Sequence, residues 1–144
     1  MATASLREQI LARITAALVA AAPGGATVYR DREVSLTRAT SPAIVLMPQG
    51  NAPTRVATGV DKNQFDIALE IFVRGDPWTS LADPIDVAAH TVLMTDPTLW
   101  ALVSDVRRGD ESFEGQEADR TAGTLTVRYR ITFQTAAAFL TLAI

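Results

Sequence analysis

Two long stretches of the chain, Gln64–Arg74 and Thr124–Gln134, alternate between apolar and polar residues. Successive side chains of a β-strand point to opposite faces, so each stretch predicts a strand with one apolar face and one polar face. The predicted inward residues are Phe65, Ile67, Leu69, Ile71 and Val73, and then Leu125, Val127, Tyr129, Ile131 and Phe133. Such strands are typical of an antiparallel or mixed sheet, and the apolar face of that sheet must be covered by other elements.

Two amphipathic helices are predicted to cover this face. Ser5 and Glu8 form a capping box before an apolar series with helical spacing, which predicts a helix over 6–21 that ends before Pro23. Asp83 and Pro84 are typical of an N-cap and the first helical position, so a second helix is expected to run from there to about Met94.

The second helix is expected to bury the stripe of Leu81, Ile85, Ala88 and Val92, with Ala89 and Leu93 as further candidates. His90 then lies on the far side of the helix. Trp78 falls in the linker before the helix, and Asp96-Pro97 repeats the cap pattern before a short turn through Leu102. These elements predict one α+β domain over residues 1–144, with a mixed or antiparallel β-sheet and two main α-helices packed on one face.

The segments between these elements are less regular. Thr27–Tyr29 is a short strand candidate, and Ala43–Met47, apolar on both faces, predicts an interior strand. Pro48–Lys62 contains several Gly and Pro residues and reads as a long loop or a protruding hairpin. Near the C-terminus, we expect two strands that pair around a turn at Gly109-Asp110, and a second turn at Arg120–Gly123.

The inventory of reactive residues excludes several classes of chemistry. The chain has no Cys and one His, so thiol catalysis and Cys-based metal sites are excluded, and a Ser-His-Asp triad would have to use His90. Acidic residues cluster between Asp105 and Asp119 without the register of a calcium loop. A solvated charged hairpin is the first interpretation of this cluster, and a carboxylate-dependent hydrolase or metal site is the alternative. We expect no enzyme activity and no catalytic, cofactor-binding or metal-binding residue.

Charge and aromatic residues leave two further questions open. The net charge of −3 argues against non-specific electrostatic binding of nucleic acid by the whole domain. Arg107, Arg108, Arg128 and Arg130 are nevertheless candidates for a basic stripe, and pairing of the last two with Asp66 and Glu70 across the sheet is the simpler interpretation. Trp78 and Trp100 are expected to anchor helices to the sheet rather than to stack on bases.

The C-terminal segment Ala136–Ile144 is apolar and carries no charged side chain. It could pack on its own domain or dock on a neighbouring subunit, and the sequence leaves both possibilities open. No apolar stretch approaches the ~20 residues of a membrane-spanning helix, so no membrane partner is expected.

The order of these elements resembles the tail terminator proteins of long-tailed bacteriophages, the group that includes the minor tail protein U type. The likeness covers nearly the whole chain and rests on a pattern of elements and short cues rather than on an invariant motif. The matching elements are the helix Leu6–Ala21, the cues Val28-Tyr29-Arg30 and Pro42-Ala43-Ile44-Val45, the strand Phe65–Gly75, the helix around Asp86 and His90, and Glu117-Ala118 before the final long strand.

The resemblance implies a structural virion protein that forms a homo-oligomeric ring, a hexamer in that family. Such a ring caps the tail tube, stops tube polymerisation and docks the head-side connector. The implied partners are the tail tube protein and the connector or neck protein, and phage DNA passes through the lumen without sequence-specific binding. The implied location is the neck-proximal end of the virion tail, after assembly in the host cytoplasm. A head–tail joining or neck protein that acts on the connector side is the alternative.

We assign the candidate ring-interface or lumen residues from their expected places in loops, hairpins and the apolar tail. These candidates are Arg55, Lys62, Arg107, Arg108, Asp110, Glu111, Glu114, Phe139, Leu140 and Leu142.

Overall fold

The computed structural model of the protein describes residues 4–31, 41–116 and 119–143. Six strands in this part of the chain form one mixed sheet in the order β1-β2-β3-β5-β4, and β6 pairs with β5. β1 is parallel to β2, and the other pairs are antiparallel. The strands are β1 Thr27–Arg30, β2 Ala43–Ala57, β3 Val60–Arg74, β4 Asp105–Gln116, β5 Asp119–Ala136 and β6 Phe139–Ala143. The helices are α1 Leu6–Ala21, α2 Trp78–Thr95 and α3 Pro97–Trp100, which confirms the α+β class.

The two alternating stretches form the centre of the sheet. Their inward residues lie opposite one another in register, as in Phe65↔Ile131 and Leu69↔Val127, and all of them are buried. α1 and α2 pack on this face, and their side chains join those of the sheet in one apolar core. The sequence-based prediction of the core is therefore confirmed for β3 and β5.

α1 forms where the capping box predicts it. The Ser5 hydroxyl accepts a hydrogen bond from the Glu8 amide at 3.2 Å, which satisfies one of the free donors of the first turn. Ile10, Ile14 and Leu18 are completely buried. The helix ends at Ala21, and the left-handed backbone of its C-cap residue Ala22 (φ 42°) turns the chain toward β1.

The start of α2 differs from the prediction. The helix begins at Trp78 rather than at Asp83, so Trp78 belongs to the helix and Pro84 lies inside it. Its buried residues are Ala82, Ile85, Asp86, Ala89 and Leu93. Leu81, which was expected in the buried stripe, is 44% exposed. Among the described residues, no helix is long and apolar enough to cross a membrane.

His90 is the second correction in α2. Because Asp86 belongs to the buried face, the residue one turn later also points toward the sheet rather than away from it. The imidazole stacks on the Tyr129 ring with 5.9 Å between centroids. His90 is therefore half-buried between α2 and β5.

Two predicted turns lie within strands, and the long segment shared by β2 and β3 takes the second of its two predicted forms. Pro48–Lys62 is the hairpin alternative, because β2 and β3 continue through it to a turn at residues 58–59. Gly109-Asp110 is a bulge within the continuous strand β4, not the turn of a hairpin. Arg120–Gly123, predicted as a turn, lies within β5 because its backbone pairs with β3 or β4. The sequence also favours a charged turn at Arg30–Glu33 and a polar loop at Ser35–Thr40, and residues 32–40 of these segments lie outside the described residues.

Asp96 joins the end of α2 to α1 and caps α3. Its carboxylate accepts hydrogen bonds from the Leu99 amide at 3.0 Å and from Arg13 Nε and Nη2 at 2.8 and 2.9 Å. The Arg13 hydrogen bonds lower the pKa of Asp96, against an opposing effect of burial. The predicted cap and short turn after Asp96-Pro97 are confirmed.

We expect Asp96→Ala to destabilise the protein at neutral pH by at least about 1 kcal/mol, the usual cost of a lost N-cap. Because the pKa of Asp96 is lower in the folded state, its stabilisation is present above the unfolded-state pKa near 3.9 and is lost as the pH falls through the folded-state value. Urea unfolding at pH 7 and at successively lower pH values measures this. A difference between wild type and variant that does not shrink at low pH would contradict it, and Asp83→Ala, at an exposed position, is the control.

Candidate assembly surfaces

The β2–β3 hairpin projects an arm from the sheet, which we define as residues 48–62. Every residue from Pro48 to Gly59 is exposed. β1 pairs with β2 only as far as Leu46, so beyond that point β2 is an edge strand among the described residues. Pro48 and Pro53 lack backbone N–H donors, and prolines at such positions are typical of edges that avoid strand-to-strand pairing.

The arm carries two of the predicted interface residues. Arg55 Nε donates to Asp61 at 2.6 Å, so this pair is balanced within the arm. Lys62 has no ion-pair partner within the part of the chain that the structure describes. Val56 is 48% exposed beside Arg55, although it is a large apolar residue. The arm thus combines an exposed apolar side chain with a net positive charge.

β4 forms the opposite edge of the sheet. It pairs with β5 on one side, and no described strand pairs with the other. We define the acidic edge as Asp110, Glu111, Phe113 and Glu114, all of which are exposed. Phe113 is 57% exposed and contacts the Trp78 ring at 6.3 Å between centroids. Glu114 has no ion-pair partner in the described ranges, so no described side chain neutralises its charge.

Arg108 is the centre of a polar cluster between α2 and the sheet. Its guanidinium donates to both Asp86 oxygens at 2.9 and 2.7 Å, to Glu111 at 2.8 Å and to the Tyr129 hydroxyl at 3.1 Å. The Asp86 hydrogen bonds raise the pKa of Arg108 despite partial burial. Two predicted interface residues, Arg108 and Glu111, are therefore ion-paired within the subunit. The cluster ties β4 to α2 and β5.

Tyr129 and His90 complete this cluster. The Tyr129 hydroxyl lies 3.0 Å from His90 Nδ1. Because the hydroxyl accepts a hydrogen bond from Arg108, its own hydrogen is free to point at His90 Nδ1. Burial raises the pKa of Tyr129, and the nearby positive charge of Arg108 opposes this effect. The phenol therefore stays protonated at neutral pH and acts as a link between α2 and β4.

The arginines on the opposite face of the sheet are paired with carboxylates. Arg130 Nε and Nη2 contact Asp66 at 2.9 and 3.3 Å, directly across the β3–β5 pair. Arg128 lies 3.6 Å from Asp110, and Arg107 lies 3.9 Å from Asp105. The cross-sheet pairing predicted for Arg130 is confirmed, whereas Arg128 pairs with Asp110 of β4 rather than with Asp66 or Glu70. No group of three or more His, Cys, Asp or Glu residues that could hold a metal ion occurs within residues 4–31, 41–116 and 119–143.

The C-terminal segment docks in cis through its backbone. β6 pairs with β5, and the turn before it is held to the arm by a hydrogen bond from the Ala137 amide to the Gly59 carbonyl at 2.8 Å. The side chains of Phe139 and Leu140 are 59% and 66% exposed. The side chain of Leu142, the third candidate here, lies outside the described residues. The tip of the arm therefore lies close to the turn before β6, at the same end of the molecule as the exposed side chains of Phe139 and Leu140.

Trp78 anchors α2 to the sheet, as predicted, whereas the hydrogen bond of Trp100 ties α3 to α2. Trp78 and Trp100 are partly buried against the core. Trp100 Nε1 donates to the Leu93 carbonyl at 3.1 Å. An alanine Cβ at Gly123 would lie 2.2 Å from Trp78 Cε2, so the indole occupies the space above this glycine.

Comparison with known structures shows that this chain is similar in fold to a protein chain of a virion. A chain of the virion of a native gene transfer agent (GTA) particle aligns with a TM-score of 0.51 at 14% sequence identity, covering 89% of this chain and 90% of that one. At this identity the likeness shows a shared fold, which extends over nearly the whole chain. No family model and no curated protein sequence matches the chain.

Proposed function

We propose that the protein is a structural virion protein of the tail-terminator type. In this proposal, copies assemble into a hexameric ring that caps the tail tube, stops its polymerisation and presents a docking surface to the head-side connector. DNA passes through the lumen without sequence-specific binding. The protein works by contact rather than by catalysis, and its place in the virion is the neck-proximal end of the tail.

The fold shared with a GTA virion chain is the observation that carries this proposal. The alignment spans almost the entire length of both chains, so the likeness extends to the arrangement of the whole subunit. It supports a role in a phage-like particle, and the order of sequence elements supports the terminator role in particular.

The uncovered surfaces fit a ring subunit. A closed ring of identical copies needs two different surfaces that complement each other, one on each side of the subunit. The β2 side of the arm and the acidic edge on β4 lie at opposite edges of the sheet. Phe139 and Leu140 add exposed apolar area at one end, where a second protein of the tail could dock.

Deleting the coding sequence from the parent particle's genome tests the proposal. We expect tubes longer than normal that do not join heads, because nothing then stops tube growth, and a plasmid-borne copy should restore normal tails. Negative-stain microscopy measures tube length and joining. Tails of normal length that stay unjoined beside filled heads would instead indicate a neck protein. Tails of normal length that join heads would exclude both roles.

A further inference from the structure

We infer that neighbouring copies contact each other through the arm of one copy and the acidic edge of the next. This inference rests on the proposed ring and names the surfaces that build it. The occupant of the acidic edge is thus a second copy of this chain, and the contact joins two different surfaces rather than the same surface twice.

The positions of the two surfaces favour such a contact. The β2 side of the arm and the acidic edge on β4 are the two opposite edges of the sheet, whereas Lys62 of the arm lies on β3, between β2 and β5. A subunit with complementary surfaces on opposite sides can bind the next copy head to tail. The resulting chain of copies still has one free surface of each kind, one at each of its two ends. Repetition of that contact closes a ring when the rotation per copy allows it.

The chemistry of the two surfaces is complementary. On the acidic edge the exposed Phe113 lies next to Glu114, whose carboxylate has no ion-pair partner in the described ranges. Asp110 and Glu111 lie 3.6 and 2.8 Å from Arg128 and Arg108 and are paired within the subunit. On the arm the exposed Val56 lies beside Arg55, which is paired with Asp61. The arm's cation without an ion-pair partner in the described ranges is Lys62, on the adjacent strand β3. An apolar centre with charges of opposite sign at its rim is the usual anatomy of a protein interface.

The contact is expected to use side chains rather than a shared strand ladder. Pro48 and Pro53 remove backbone donors from the arm's edge. The bulge between Arg108 and Glu111 interrupts the regular pairing of β4. Both edges are therefore poor templates for strand addition, and this leaves Phe113, Val56 and the surrounding charges as the contact.

The absence of cysteine from the chain allows a direct test. We would purify Val56→Cys and Phe113→Cys separately, mix them under conditions in which the wild type forms rings, and treat the mixture with a short bismaleimide. The mixture should give cross-linked dimers that contain one copy of each variant, and neither variant alone should cross-link. A chain that carries both substitutions should give a ladder of oligomers.

The controls separate this contact from the ring itself. Val87→Cys places a thiol on the equally exposed outer side of α2, and its mixture with Phe113→Cys should give no cross-link. Wild-type-like rings of the cysteine variants without mixed dimers would overturn the inferred contact and leave the ring standing. Dimers of Phe113→Cys alone would indicate a symmetric contact and overturn it too. Mixed dimers in a protein that forms no ring on tail tubes would overturn the proposed function alone.

Charge reversal gives an independent test at two residues without ion-pair partners in the described part of the chain. We expect Glu114→Arg or Lys62→Glu alone to lower the yield of mixed cross-links roughly tenfold, because each puts like charges together at the contact. The double reversal should recover most of the yield. Asp83→Arg, an equal change of charge on α2, should leave the yield unchanged. A Glu114→Arg variant that cross-links as well as Asp83→Arg would overturn the assignment.

Discussion

Arg108→Ala is expected to destabilise the folded protein by about 2–3 kcal/mol. The substitution leaves the Asp86 carboxylate, whose side chain is 12% exposed, without its bidentate cation. Removing one partner of a fully buried pair costs about 3–5 kcal/mol, and the 29% exposure of Arg108 places the expected cost at or below the lower end of that range. The Tyr129 hydroxyl also loses a donor. Urea unfolding at neutral pH measures the difference in free energy.

Arg107→Ala is the matched control for this prediction. Arg107 is the preceding residue on the same strand, but its side chain is 79% exposed and its distance to Asp105 is 3.9 Å. Its removal should change the free energy of unfolding by no more than about 0.5 kcal/mol. The double variant Asp86→Ala/Arg108→Ala should lose less stability than the sum of the single changes, since no unpaired charge remains buried. Equal effects of Arg108→Ala and Arg107→Ala would contradict the role of the cluster.

A bulge explains why the sequence did not predict this cluster. Arg108 and Glu111 are three residues apart, so strict alternation would place them on opposite faces of a strand. The extra residue at Gly109-Asp110 resets the register, and the two side chains face Tyr129 and Val127 on the same, inward side. The pairing of Arg108 with Asp86 also joins residues from a strand and a helix. The sequence shows that Asp86 lies in α2. It does not show that Arg108 is its partner, because the direction of the Arg108 side chain depends on the register of β4.

Prediction succeeded where the pattern was long and local. The alternation in β3 and β5 and the capping box at Ser5 each specify an element through neighbouring residues alone. The start of α2 shows the limit of that approach. Asp83-Pro84 has the composition of a helix start, but the helix begins one and a half turns earlier, where Trp78 packs against the sheet. Tertiary packing overrides the local preference there.

For the arm, the sequence left a loop and a protruding hairpin open, and the structure selects the hairpin. Its Gly and Pro content favours a loop, yet its backbone pairs with β3 almost to the tip of the hairpin, from Gly50↔Asp66 to Ala57↔Val60. β3 is in turn paired with β5 as far as Val60. The continuous partner strand, rather than the intrinsic preference of residues 48–57, keeps this segment extended. The arm is exposed because no described strand pairs with the free edge of β2 after Leu46.

Gly123→Ala carries the second large expected effect, a destabilisation of about 1–3 kcal/mol. Gly123 pairs with Val73 on one side and with Gly115 on the other, so its backbone cannot easily move. The added Cβ would lie 2.2–2.6 Å from three atoms of the Trp78 ring, which must shift and take the first turn of α2 with it. Thermal or urea unfolding of the two proteins measures the loss.

Two comparisons isolate the indole ring as the cause. Gly50→Ala lies in the same sheet, and its Cβ would meet no atom within 4 Å. This change should leave stability unchanged or raise it by up to about 1 kcal/mol, because alanine restricts the unfolded chain. In a Trp78→Ala background, adding Gly123→Ala should cost little, since the atoms it would strike are gone. If Gly123→Ala is as stable as Gly50→Ala, or costs the same with and without the indole, then Trp78 does not require a glycine beneath it. The early start of α2 would then need another explanation.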